Sequence, residues 1–371
     1  TAPAELLFPG EIADLTYLRL LFALADPAVD QIIAPNAWEV WESLRFMEKN
    51  WKSLCADIAS GKPEHYIEPV SEEFRAVIES RLAPNPERAA ELAAIFESGF
   101  ETPVVPKIWK NISLILAFGD GIFSVYSAGI KRYTGDIPHK NGSYSSATAL
   151  IGTGTDIPGR YKTAFSNAFV EFLPLEGGSA PAFSHEVKAG CDYSLLISTY
   201  SGLYRYKLKE AVHIESVEDG VPAFSYCRDS SLTVQIAGVP FTDKFVSDSV
   251  IALRERTGVP VTDYAYKENA KGDGLLVLLE VNNDDISSDC GSRLSAELER
   301  IMEESYPACL KAVNAGKLAP VQVAFMEQET QLLYRDIMMN RINRPTDPIK
   351  PVRYINSPSK EKFFLSRLIE E

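Results

Sequence analysis

Histidine and cysteine are scarce in this chain, and neither clusters. The four histidines (His65, His139, His185, His213) and five cysteines (Cys55, Cys191, Cys227, Cys290, Cys309) never fall at the paired spacings that hold zinc or form a redox dithiol, so a metal centre built on them has little support. An odd, dispersed cysteine count points to a reducing compartment, which is read as cytoplasmic. No apolar run approaches the ~18 residues that a membrane span needs, and no signal peptide is visible, although the chain opens at Thr1 and not at Met. Basic residues are in deficit as well: 37 Lys and Arg face 51 Asp and Glu, a formal net charge of -14. That balance argues against nucleic acid or an anionic membrane as a partner. Internal repeats and low-complexity segments are also missing.

What is present is ordinary globular composition, 46% hydrophobic and 24% charged, over 371 residues. A chain of that length is long for one core and predicts two domains. The first hundred residues read as helices. Asp14 to Ala25, Asn36 to Ile58, Ser71 to Leu82 and Asn85 to Glu97 carry apolar residues at three and four spacing, with Pro27, Pro35, Pro63, Pro69 and Pro84 between them. Asn36 is placed to cap its helix, with Glu39 three residues on. The stripe Trp38, Trp41, Leu44 and Trp51 reads as core.

From Trp109 the period changes. Ile112 to Phe118 is a continuous apolar strand, Gly119-Asp120-Gly121 a turn, and Phe123 to Tyr133 a helix. Strand, glycine turn and helix together are α/β grammar, and such a turn can present backbone N–H groups to a phosphate or adenine. Gly142 to Gly154 repeats the logic less strongly and can equally be a polar loop between strands. The segment Tyr193 to Glu210 (YSLLISTYSGLYRYKLKE) reads as two short strands turning at Ser201-Gly202, with the second running from Leu203 to Leu208. Its density of Tyr, Arg and Lys suggests a binding face, and a surface hairpin explains it as readily. Beyond Glu210, strands at 223–228 and 231–237, a helix at 244–257, strands at 262–266 and 274–281, a long helix at 292–313 and a strand at 320–326 describe a small α/β sandwich. The tail, Tyr334 to Glu371, is basic and proline-marked, then helical.

In this order the pieces resemble the auxin-responsive Gretchen Hagen family of acyl acid amido synthetases, a branch of the firefly-luciferase-like adenylate-forming enzymes. Ser198 to Tyr206 (STYSGLYRY) is similar to the family's TTYAGLYRYRxGD signature. Glu186 to Gly190 resembles its EVKxG stretch, Phe165 to Pro174 its PNxxYFEFLP stretch, and Tyr144 to Thr148 its Y(A/G)SSE motif. Cys227-Arg228 and the strand after it resemble the family's entry into the C-terminal domain, and Ile349 to Arg353 its YKxPR segment. The resemblance runs almost end to end.

It implies a mixed α/β fold: a large adenylate-forming-enzyme-like lobe at 1–225, helical over 1–100 and mixed over 101–225, and a smaller C-terminal α/β lid domain at 226–371. It also implies a ligase that uses ATP and Mg²⁺ to convert a small carboxylic acid into an acyl-AMP and then joins it to an amino acid or amine. By position, Gly119, Asp120, Tyr144, Ser145 and Ser146 are expected along adenine and phosphate. Tyr206, Lys207 and Glu210 are expected at the ribose, Arg228 at the hinge, and Lys350 at the α-phosphate, with Thr148 in the catalytic set at the magnesium position. The acyl pocket is expected among the N-terminal helices and the strand at 114–118. Three departures bear on this. The family's SSGTxxGxxK phosphate loop, expected before Phe8, is absent. A neutral Thr148 stands where the family has Glu, and Tyr206-Lys207-Leu208-Lys209-Glu210 stands where it has YRxGD. The alternatives are upstream residues or a second polypeptide that supplies the missing loop, a member that binds an acyl compound or runs another reaction without adenylating, or a regulatory subunit.

Overall fold

The structure, a computed structural model, describes residues 3–6, 14–281, 289–341 and 349–369. Of the positions before Phe8, where the phosphate loop is expected, only 3–6 are described, and the prolines of 342–348 lie outside the described residues. The described chain forms two compact units: 1–118 with 127–142, and 119–126 with 143–371.

The first unit is mainly helical: α1 (Thr16–Ala25), β1 (Gln31–Asn36), α2 (Ala37–Ser60), α3 (Glu72–Arg81), α4 (Pro86–Glu97), α5 (Val105–Ile108), β2 (Leu114–Phe118), α6 (Ser124–Thr134) and β3 (His139–Lys140). The first three residues of α6 belong to the second unit. The cap read from the sequence at Asn36 is in place. The Asn36 side chain accepts the Glu39 N–H at 3.1 Å, and its amide donates to the Glu39 carboxylate at 3.3 Å. Ser71 and Asn85 cap α3 and α4 in the same way. Buried Arg88 donates to the carbonyls of Leu24 and Ile108, both at 2.9 Å, and so ties α4 to the ends of α1 and α5. Trp38, Trp41 and Leu44 are buried as core. Strands β1, β2 and β3 form a parallel sheet in that order, of which only β2 was legible in advance.

The second unit holds two main sheets. The larger, in order β4-β5-β6-β10-β9-β8-β7, is antiparallel: β4 (Ser143–Ser145), β5 (Leu150–Gly154), β6 (Arg160–Thr163), β7 (Ala168–Pro174), β8 (Asp192–Thr199), β9 (Tyr206–Glu218) and β10 (Val221–Asp229). The predicted tyrosine hairpin is β8 and β9, but its second strand begins at Tyr206. Arg205 has φ +48° and the Thr199 N–H closes on the Leu203 carbonyl, so the chain is still turning at 203–205. A small hairpin, β11 (Val234–Ile236) and β12 (Val239–Phe241), leads into α7 (Asp243–Thr257). The second main sheet, β13 (Asp263–Glu268), β14 (Leu275–Glu280), β15 (Gln322–Met326) and β16 (Leu368–Ile369), accompanies α8 (Cys290–Ser305), α9 (Pro307–Asn314), α10 (Thr330–Arg341) and α11 (Pro358–Leu365). The helix expected over 292–313 is therefore two. Pro307 supplies no N–H and holds Tyr306 extended at ψ 100°, which ends α8 and starts α9.

Candidate functional site

The glycine turn after β2 belongs to the second unit, where it meets strands of the seven-stranded sheet. Gly121 has φ +58°, and a Cβ there would lie 3.0 Å from the Tyr226 ring, so glycine permits both the turn and the close approach. Between its two glycines, Asp120 accepts the Tyr161 hydroxyl at 2.5 Å. Tyr161 on β6, Tyr144 on β4 and Phe224 on β10 form an aromatic cage. Tyr144 meets Tyr161 edge-on at 5.2 Å and Phe224 at 5.4 Å, and Tyr161 stacks on Phe224 at 5.7 Å. Gly152 on β5 completes it, because a Cβ there would fall 2.7 Å from the Phe224 ring.

Carboxylates surround the cage. Burial first, and then the negative charges of Glu210, Asp120, Asp229 and Asp243, push the Tyr144 hydroxyl well above its ordinary range. Asp243 opens α7 with no exposed surface, accepts the buried Tyr226 hydroxyl, and takes the Asp229 backbone N–H at 2.9 Å. Burial raises its carboxyl from 3.8 to about 6, against the lowering pull of those two hydrogen bonds.

The structure brings together Asp120, Tyr144 and Glu210 from the residues singled out by sequence. Gly119 is buried at the start of the turn. Ser145 is exposed, and Ser146 and Thr148 close on one another. Their hydroxyls lie 2.5 Å apart, the Thr148 N–H reaches the Ser146 hydroxyl at 3.3 Å, and the Ser146 N–H reaches the Ala149 carbonyl at 3.0 Å. Glu210 is half-buried and pairs in register with Asp229, while Arg228 lies opposite Ala211. Tyr206 and Lys207 are exposed at the start of β9, four and three residues before Glu210 and thus roughly 13 and 10 Å away along the strand. Lys350 is exposed, just before a buried Pro351-Val352-Arg353 run. Arg205 of the hairpin motif is held by Glu171 of β7 through two bonds, 2.8 and 3.0 Å, which join the hairpin directly to the 168–174 strand.

Sequence reasoning missed Tyr161, Phe224, Tyr226 and Asp243. Only Asp243 carried a local sign, the Thr242 cap before a helical period; the others converge through pairing across the sheet.

A glycine turn leading into a helix, an antiparallel sheet carrying a tyrosine hairpin, and a smaller α/β sheet after it make up a mixed fold of helices and sheets. The GH3 family N-terminal domain matches residues 1–139 and the GH3 family central domain residues 161–228, and the chain belongs to the GH3 family. Among curated relatives, the indole-3-acetic acid-amido synthetase GH3.10 of Arabidopsis thaliana is 26% identical over 63% of this chain and 44% of its own length. The jasmonoyl-L-amino acid synthetase GH3.5 of Oryza sativa subsp. japonica is 23% identical over 100% of this chain and 68% of its own. The solved acyl acid amido synthetase AtGH3.15, in complex with 2,4-DB, superposes with a TM-score of 0.80 at 20% identity over 96% of this chain and 64% of that one, which shows the shared fold. The chain thus spans less than two thirds of the length of the first curated relative and of this structure. No helix among the described residues is long and apolar enough to cross a membrane.

Proposed function

We propose that this protein is a ligase of the acyl acid amido synthetase type, which activates a small carboxylic acid as its acyl-AMP and joins it to an amino acid or amine. ATP enters as a substrate that turns a poor electrophile, a carboxylate, into one with a good leaving group. The observation that carries the reading is the Arg205–Glu171 clamp, which fastens the YRY hairpin to the FVEFLP strand beside it in one sheet. The acyl acids named for the relatives set the substrate class: indole-3-acetic acid, a jasmonoyl group and 4-substituted benzoates.

In this reading the adenine lies against exposed Ser145 and the Ser146–Thr148 turn, because the Tyr144 ring is enclosed by Tyr161 and Phe224. Glu210 accepts from the ribose hydroxyls, with Arg228 nearby. Residues 226–371 form the lid that brings Lys350 toward the α-phosphate, and Gly119 and Asp120 shape the turn beneath. In this reading these residues serve the nucleoside end of ATP. They do not form a metal cage: among the described residues no group of three or more His, Cys, Asp and Glu could hold an ion, and Thr148 is neutral and bonded to Ser146.

That closed Ser146–Thr148 turn favours a second reading, in which the scaffold holds an acyl compound without adenylating it. Pyrophosphate release with MgATP and a panel of indole-3-acetate, jasmonate and benzoate, followed by mass detection of the glutamate amide, separates the two. The ligase reading expects release that depends on the acid and an amide of the matching mass. Binding of the acid with neither product supports the second.

A further inference from the structure

Arg353 is one of the most deeply buried side chains of the described protein, with 1% of its surface exposed, and it belongs to no element. It lies on a strap, 351–355, laid along β13. The Tyr266 N–H donates to the Arg353 carbonyl at 2.7 Å and the Ile355 N–H to the Tyr266 carbonyl at 2.9 Å. Gln331 clamps Val352 from both sides, accepting its N–H at 2.9 Å and donating to its carbonyl at 2.7 Å. Lys350 is the exposed residue that leads into this strap.

The guanidinium bridges β13 and the glycine turn. It donates to Asp263 at 2.5 Å and to the Tyr264 carbonyl at 2.7 Å, and twice to the Ile122 carbonyl, at 2.8 and 3.0 Å. It sits 4.2 Å from the Tyr264 ring centre and 5.0 Å from that of Tyr126. The second oxygen of Asp263 accepts the Tyr126 hydroxyl at 2.7 Å, and the hydroxyls of Ser124 and Ser247 meet at 2.6 Å alongside. Ile122 is two residues past Asp120. A planar fork of five donors, permanently charged, is the side chain that can hold a carboxylate and two carbonyls at once. Removing it leaves the buried Asp263 carboxylate without a counter-charge and frees the Ile122 carbonyl.

We propose that Arg353 is a positioning residue: it fixes the 119–126 turn that carries Asp120 and latches that turn to the Lys350 strap, so that a swing of the 226–371 lid has first to release it. A lysine at 353 keeps the charge but lacks the planar fork, and is expected to hold the turn less firmly. The proposal deepens the ligase reading, while the coupling itself stands or falls separately.

The test is hydrogen exchange on the whole chain for Arg353→Met, Arg353→Lys and Asp263→Asn, with α1 to α4 as the internal control. Exchange of the peptides covering 119–126 and 351–355 should rise together, by about tenfold in Arg353→Met and less in Arg353→Lys, with the control unchanged. Adding the Ser124→Cys and Ser247→Cys pair as a disulfide to Arg353→Met should restore protection of 119–126. A merely structural loss would not be rescued by that tether. Should Arg353→Met fail to fold, Arg353→Lys decides. Unchanged exchange at 119–126 in a folded variant, or a rise at 351–355 alone, overturns the coupling; coupled exchange in the variants with no pyrophosphate release from the wild-type chain overturns only the ligase reading.

Discussion

Asp243 and Arg205 show how single side chains hold this site. Because burial raises the folded carboxyl of Asp243 to about 6, the protonated form is the one the fold prefers. Its contribution to stability is complete below the ordinary value of 3.8 and is lost as pH rises through about 6, a loss of roughly 3 kcal/mol at most. Asp243→Asn keeps an acceptor for the Asp229 N–H and lets the Tyr226 hydroxyl reverse its role. Subtracting the variant's urea-denaturation stability from the wild type's across that window should give a curve that falls with rising pH; a flat difference would show that the carboxyl is not shifted. Arg205→Met leaves the mostly buried Glu171 without its partner and should cost about 1–3 kcal/mol, visible as a lower urea midpoint. Neither role was legible beforehand. The YRY motif drew attention to Tyr206, which is 47% exposed, whereas Arg205 at φ +48° turns back onto the sheet.

At the level of elements, local signals were read well and non-local ones poorly. The cap at Asn36, the helices α2 to α4 and the strand-turn-helix of β2 and α6 all follow from residues within a few positions of one another. Strand β1 was missed because Gln31–Asn36 ends in Pro35 and a helix cap and has meaning only through its parallel partner β2. The Tyr144 cage likewise needs β4, β6 and β10, which lie far apart in the chain. Its tightest point is Gly152. Gly152→Ala drives a methyl into Phe224 and the Lys162 carbonyl, 2.7 and 3.1 Å from the added carbon, and should lower stability by about 1–3 kcal/mol. A near-ultraviolet circular dichroism change from the displaced aromatic rings should accompany that loss. Asn36→Ala, by contrast, should cost about 1 kcal/mol with no change in that spectrum.

Across the whole molecule, family membership was legible because the resemblance ran through many separate stretches and did not hang on one motif. The distribution of charge was not. An acidic chain places Asp120, Glu210, Asp229 and Asp243 around one tyrosine, and that field repels an unscreened polyphosphate while it tolerates a neutral acyl group. The ligase reading therefore requires that the chain still accept MgATP in spite of it. The most direct measurement is pyrophosphate release by the intact chain in MgATP, with and without a carboxylic acid from the relatives' substrate class. Release that appears only when the acid is added, together with an amide product of matching mass, is the predicted result. A folded protein that releases none with any acid, and whose melting temperature MgATP does not move, would contradict it.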